Sequence, residues 1–240
     1  MMRGRRWCWR LSIWQNFGLP TQNGVNNGLA FIGTVRAGTG SATSANNVAI
    51  FAEDDQDYPE AARIVTKGDA APGCAGIFSS FKDPVNASNR SVAFIGAMKT
   101  FPGVTTAANN DGIWWNSPGG FALVAREGAQ PAEGPDGAQW KAFTSLALPE
   151  GRGPLFVAKL GGAVTTANDV GLWATDSFGA LRLLLREGDA IGSSTVKSFV
   201  VLSSVTGSPA QTRSFNNGGS VIVKATDALG AQHLLHIAVP

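Results

Sequence analysis

Apolar residues in this chain fall in short runs, each bounded by Gly, Asn, Pro or Ser, and the runs return. Runs of about five to seven residues rich in Val, Ile, Phe, Trp and Leu read as β-strands. Helical spacing at i, i+3, i+4 and i+7 does not persist across any of them. Four columns recur in one order. The first reads LAFIGTV from Leu29, VAFIGAM from Val92, PLFVAKL from Pro154 and SVIVKAT from Ser220, with Phe31, Phe94 and Phe156 spaced by 63 and 62 residues. The second reads VAIFA, GIWWN and GLWAT, with Phe51, Trp114 and Trp173 in register. The third reads ARIVTKGD, FALVAREGA and LRLLLREGD, where Gly68, Gly128 and Gly188 are each 60 apart. The fourth carries Phe17, Phe81, Phe143 and Phe199 within IWQNFGLP, IFSSFKDP, WKAFTSLALP and VKSFVVL. The segment from Pro59 to Val65 has the look of a helix start, but its register with the third column predicts a strand over 62–67.

A repeat of this kind is one supersecondary unit that needs its neighbours for a core. Blades of a β-propeller, coils of a β-solenoid and stacked hairpins all use such units; solenoid coils run on shorter periods, so blades are favoured. A blade is a small antiparallel sheet packed on both faces. In the third strand, Leu181, Leu183 and Leu185 are expected on one face, and Leu184 with Arg182 and Arg186 on the other. The expected fold is all-β: a propeller-like array of four-stranded antiparallel blades, three whole and one split between the termini. Units run over 21–84, 85–150 and 151–215, and a partial unit at 216–240 is completed by 13–20. Residues 1–12 form a basic leading segment and 13–240 a single repeat domain. Sharing one blade between the ends avoids unpaired strand edges. The alternative is a piece of a larger ring.

Composition narrows the class. With 30 glycines and 12 prolines but no G-X-Y period, turns are frequent and collagen is excluded. Net charge is +2, from 19 basic and 17 acidic side chains; without Arg3, Arg5, Arg6 and Arg10 the balance turns to −2. The body therefore offers no basic stripe for nucleic acid. The opening is basic like a signal peptide, yet Arg10, Gln15 and Asn16 interrupt any apolar core and no small-residue cleavage site follows. No stretch approaches the roughly 20 apolar residues of a membrane span. Cys8 and Cys74 allow one disulfide at most, and their spacing leaves open whether they meet.

In these motifs the chain resembles bacterial tandem-repeat proteins of the choice-of-anchor type. Their units run N-x-x-G-x-V-A-F-x-A, N-D-x-G-(I/L)-W, L-V-A-R-E-G-D-x-A-P-G and F-x-S-F-x-x-P. The matching pieces are VAFIGAM, NNDGIWW and FALVAREG in the second unit, TKGDAAPG and FSSFKDP in the first, and NDVGLW and LLLREGD in the third. The resemblance spans residues 13–226 and implies a propeller-like fold and an exported or cell-surface location, with no activity attached.

Candidate chemistry is sparse. The loops Thr43–Asn47, Thr105–Gly112 and Thr165–Gly171 recur on one rim, and Asn and Asp there initiate turns. Asp111 and Asp169 supply the only charge in those loops, which leaves Ca²⁺, with its six to eight oxygen ligands, as the sole cofactor to weigh. The pairs Arg126-Glu127 and Arg186-Glu187 recur before a glycine and give way to Thr66-Lys67 in the first unit, as turn-building residues do. Glu53, Asp54, Asp55 and Asp57 form an acidic loop beside Tyr58-Pro59, and paired carboxylates at fixed separation hydrolyse glycosides. His233 and His236 lie three apart on one strand and point to opposite faces. No G-x-S-x-G, P-loop or H-E-x-x-H occurs. The expectation is a non-enzymatic scaffold that binds a protein or glycan; the rival is a polysaccharide hydrolase or lyase working through Glu53–Asp57.

Overall fold

The four columns lie side by side in four separate antiparallel sheets. The computed structural model describes residues 12–23, 25, 28–53, 61–88, 90–117, 119–201, 215–216 and 218–240. The first sheet holds β1 (Trp14–Phe17), β2 (Thr21–Gln22), β3 (Leu29–Val35), β4 (Val48–Ala52) and β5 (Ala62–Thr66). The second is a meander of β6 (Phe78–Ala87), β7 (Ser91–Met98), β8 (Asp111–Ser117) and β9 (Gly120–Arg126). The third repeats it with β10 (Ala138–Ala147), β11 (Leu155–Gly162), β12 (Val170–Thr175) and β13 (Leu181–Arg186). The fourth comprises β14 (Ala190–Ile191), β15 (Ser194–Val200), β16 (Phe215–Asn216), β17 (Ser220–Asp227) and β18 (Gln232–Ala238). Strand β5 confirms that Ala62–Thr66 are a strand rather than the start of a helix.

Bulges decide which side chains share a face. The ladder skips one residue after Trp14, Phe78, Trp140 and Val196, at the start of each sheet's opening strand. A bulge sets two residues against one, so positions i and i+3 come to the same side. Phe78 and Phe81 thus join Phe94 and Trp114, with ring centroids 4.8 Å apart for Phe78–Trp114 and 5.4 Å for Phe81–Phe94. In the third sheet Trp140, Phe143, Phe156 and Trp173 form the same box, with Trp140–Trp173 at 4.5 Å and Phe143–Phe156 at 5.8 Å. Trp14, Phe17, Phe31 and Phe51 form it in the first, at 5.2 Å for Trp14–Phe51 and 5.9 Å for Phe17–Phe31.

Successive sheets stack through these boxes. Ala30, Ile50, Ala52 and Val65 of the first sheet cover Phe78, Phe94 and Trp114 of the second. Ala93, Ile95, Ile113 and Ala125 of the second cover Trp140, Phe156 and Trp173 of the third. Leu155, Val157, Leu172 and Ala174 of the third meet Val196, Val221, Val223 and Ala225 of the fourth. Each fully buried Phe, Leu or Ile contributes about 1.5–3 kcal/mol, so the stacked faces supply the main driving force for the fold. Among the described residues no such cluster joins the fourth sheet to the first.

Three expectations are corrected. The split blade is not formed: β1 pairs with β3, so the first three sheets each open with their fourth-column strand, and in the fourth only the two-residue β14 precedes it. Both edges of β17 are already taken, one by β15 and β16 and the other by β18, which leaves β1 no place there. The leucines of β13 do not alternate as expected either. A bulge lets Leu183 pair with Trp173 and Leu185 with Leu172, so Leu181 and Leu183 pack toward the second sheet while Leu184 and Leu185 pack toward the fourth. In the fourth sheet Phe199 lies opposite Ala225 as Phe143 lies opposite Ala158. Val223, not Ile222, therefore takes the place of Phe156, a one-residue shift that reverses the strand's faces.

Candidate functional site

The recurring third-column motif builds the joint between sheets. Gly68, Gly128 and Gly188 have φ of +91°, +80° and +91°, a left-handed turn that favours glycine. Their N–H groups donate to the carbonyls of Phe78, Trp140 and Val196 at 2.8, 2.9 and 2.8 Å. Those residues donate back to the carbonyls of Asp69, Ala129 and Asp189 at 2.9, 2.9 and 2.8 Å. Asp69 and Asp189 also accept from the Thr66 and Arg186 N–H, each at 2.7 Å. Two further bonds lock the joint: Trp114 donates its indole N–H to the Pro72 carbonyl at 3.0 Å, and Trp173 to the Ala132 carbonyl at 2.9 Å. Arg126 Nε donates to the Asn109 carbonyl and Arg186 Nη1 to the Asn168 carbonyl, at 2.8 and 3.2 Å.

The Thr–Asn loops close on themselves. Asn46, Asn109 and Asn168 accept from the N–H of Thr43, Thr106 and Thr165 at 2.6, 2.7 and 2.8 Å. Beside these turns, Asp111 pairs with Lys82 and Asp169 with Lys159, both at 3.2 Å. Glu127 accepts from the Asp111 N–H at 3.3 Å. Burial, reinforced by the Asp111 carboxylate, pushes the Glu127 carboxyl above its ordinary range; burial and Asp169 do the same to Glu187. The lysines come from different strands, β6 and β11, so the two units reach one charge balance by different routes. Each candidate calcium ligand thus already faces an ammonium group, and among the described residues no three His, Cys, Asp or Glu side chains converge on a metal position.

The remaining candidates are dispersed. Glu53 contributes its N–H to the Leu29 carbonyl, while Asp54, Asp55 and Asp57 lie outside the described residues. His233 bonds Asp227 at 3.0 Å, and His236 sits opposite Ile222 on the other face of β18, as the strand period requires. Cys74 is a free, half-buried thiol, pushed up by burial against the opposing pull of Arg126, and Cys8 lies outside the described residues. Two features escaped the sequence reading although their signal was present. One is the Trp14, Phe78 and Trp140 column, visible in WQNF, FSSF and WKAF. The other is the turn D-x-x-G-A at Asp176 and Asp227. In each, one carboxylate oxygen accepts from the N–H groups two and four residues on, and the second accepts from Arg182 or His233.

The two outer faces differ from every internal one. Phe81 and Phe143 are 9% and 5% exposed, but Phe17, at the same position of the first sheet, is 57% exposed. At the other end Ile222 is 42% and Leu234 76% exposed, flanked by exposed Lys224 and His236.

No curated protein matches the chain. Among solved structures, a hypothetical protein from Leishmania major is similar at 9% identity, over 95% of this chain and 86% of that one, with a TM-score of 0.22, too low to bear on the fold. The model of a family of unknown function, DUF7453, matches residues 12–231, a span that holds the first three sheets whole and most of the fourth. The chain belongs to the DUF7453 family.

Proposed function

We propose that this chain is a non-enzymatic repeat scaffold, propeller-like in its stacking of blades, that binds through its outer faces and rims. The observation that carries the reading is the use made of its recurring charged residues. Arg126 and Arg186 are engaged by carbonyls of facing turns, and Asp69 and Asp189 by the backbone of their own. Chemistry repeated once per sheet serves the sheet. What does not repeat is the exposed ring of Phe17 and the apolar pair Ile222 and Leu234, and exposed apolar surface of this kind favours a protein ligand over a glycan. The resemblance to exported tandem-repeat proteins supports an extracellular or cell-surface setting.

The test is incubation of the purified chain with a polysaccharide panel, reading both binding and release of reducing ends. The expected result is no release above the blank. Turnover that Asp55→Asn abolishes overturns the reading in favour of a glycan-active enzyme.

A further inference from the structure

We infer that the free edge of β18 takes an added strand in trans: a lone extended segment of a partner protein, antiparallel to β18 and bearing large apolar residues two apart. The edge follows from register. The pairs between β17 and β18 keep one frame, from Ser220 opposite Ala238 to Thr226 opposite Gln232. Two bonds close the ends of that frame, Val239 N–H to the Gly219 carbonyl at 2.6 Å and Asp227 N–H to the Ala231 carbonyl at 2.9 Å. Backbone groups alternate sides along an antiparallel strand, so His233, Leu235 and Ile237 bond β17. Gln232, Leu234, His236 and Ala238 turn their N–H and C=O groups the other way, and among the described residues no strand meets them. In the first three sheets the strand at this position, β4, β8 or β12, has β5, β9 or β13 along that edge. Strand β18 reads QHLLHIA and has none of the Lys, Asp, Glu or Pro residues that blunt a free edge.

The occupant is fixed by interfaces the chain already builds. Ile64 of β5 packs into the same core as Phe121 and Leu123 of β9. One unit on, Val124 of β9 shares a core with Leu181 and Leu183 of β13. Leu184 of β13 stands where Ile64 and Val124 stand, two residues before the end of its strand. It shares a core with Leu235 and Ile237 of β18, but all three are only half-buried. Leu235 lies opposite Val223 as Trp173 lies opposite Phe156, and Trp114 and Trp173 are fully buried at that place. Those tryptophans lie opposite Leu123 and Leu183. A segment beside β18 therefore sets one apolar side chain opposite Leu235 and another two residues earlier, both against Leu184. Its backbone bonds supply affinity, and the two side chains supply selectivity. The β18 edge of a second copy does not fit, because that strand carries its own β12 into the space that β13 overhangs.

The edge rests on the scaffold reading only in taking binding as the work of the chain. The probe is a capped synthetic peptide of residues 181–187, LRLLLRE, and the readout is amide exchange of the full chain by NMR. In the free chain the Leu234 and His236 amides are expected to exchange fast, and those of Leu235 and Ile237 slowly. Excess peptide is expected to slow Leu234 and His236 by about tenfold. The peptide carrying Leu181→Lys and Leu183→Lys is expected to leave them unchanged. In the chain itself, His236→Pro removes one outward N–H where an edge strand tolerates proline. It is expected to keep the fold by circular dichroism and to lose the protection at Leu234. Leu234 and His236 amides that are already slow in the free chain overturn the inference. Sedimentation then tells whether the chain itself (a monomer) or a second copy (a dimer) holds the edge. Unchanged exchange with excess peptide, or equal slowing by the lysine variant, also overturns it. None of these results touches the scaffold reading, which falls only to turnover in the polysaccharide assay.

Discussion

Trp173 donates its indole N–H to the carbonyl of Ala132 at 2.9 Å, reaching from the third strand of its own sheet to the loop that leads out of the sheet before. Trp114 makes the same bond to Pro72 one unit earlier, at 3.0 Å. The bond ties the stacking of two sheets to the path of the chain between them. Trp173→Phe keeps a ring in the box but strands the Ala132 carbonyl. Leaving a buried acceptor unmet costs about 1–3 kcal/mol, and the urea midpoint of the variant is expected to fall accordingly with an unchanged slope.

Gly171 stands two residues before that tryptophan, and a methyl at Gly171 meets the six-membered ring of Trp173 well inside van der Waals contact. Gly171→Ala is expected to cost about 1–3 kcal/mol by overpacking. Much of that clash involves ring atoms that phenylalanine lacks. The double variant Gly171→Ala/Trp173→Phe is therefore expected to be less unstable than the two singles added together, and a double-mutant cycle measures the difference.

The joint turn makes its own demand. Gly188 has φ of +91° and offers its N–H to Val196. Gly188→Ala forces an L side chain into the left-handed region at about 1–2 kcal/mol. Hydrogen exchange should show faster opening at the Val196 amide than at amides in the middle of β11.

The period of the rings was legible in the sequence because stacking repeats one environment, and apolar residues report that environment directly. Its phase was not. By sequence Phe17, Phe81 and Phe143 fall at the ends of units, whereas each lies on the strand that opens its sheet, since nothing in a strand's composition says which neighbour it pairs with. Trp14, Phe78 and Trp140 do not declare themselves in the sequence, because an unbroken strand puts i and i+3 on opposite faces and only the bulge brings them together. Of the candidate site, the bland reading of the Arg-Glu-Gly and Thr–Asn turns could be made from recurrence alone. The lysine partners of Asp111 and Asp169 could not, since Lys82 and Lys159 come from strands at different columns. The exposure of Phe17 is hidden for another reason: its motif is identical in kind to two buried ones, and only the stack shows which of the three rings is exposed.

Two groups of carboxyls pull stability in opposite directions with pH. Glu127 and Glu187 are raised above an ordinary value of 4.5, by burial first and then by Asp111 or Asp169. Their contribution is full below 4.5 and is lost as pH rises through the raised value. Asp111→Asn removes the neighbouring charge, so the Glu127 carboxyl is expected to titrate at lower pH by NMR; Lys82→Met is expected to move it up. Asp227 is lowered below 3.8, chiefly by the bond from His233. Its contribution is full above 3.8 and is lost as pH falls through the lowered value. Asp227→Asn is expected to flatten that acid limb of the stability curve while keeping the turn, because the amide oxygen still accepts from Leu229 and Ala231.

The central claim is that the ring boxes of the second and third sheets are covered by the sheet before them, so that Phe81 and Phe143 are buried while Phe17 is exposed. Alanine substitution at three equivalent positions, with unfolding followed in dilute protein, tests it most directly. Phe81→Ala and Phe143→Ala should each cost about 3–5 kcal/mol, and Phe17→Ala about 1 kcal/mol, since more than half of its side chain remains in water. Equal losses at all three positions would contradict the account.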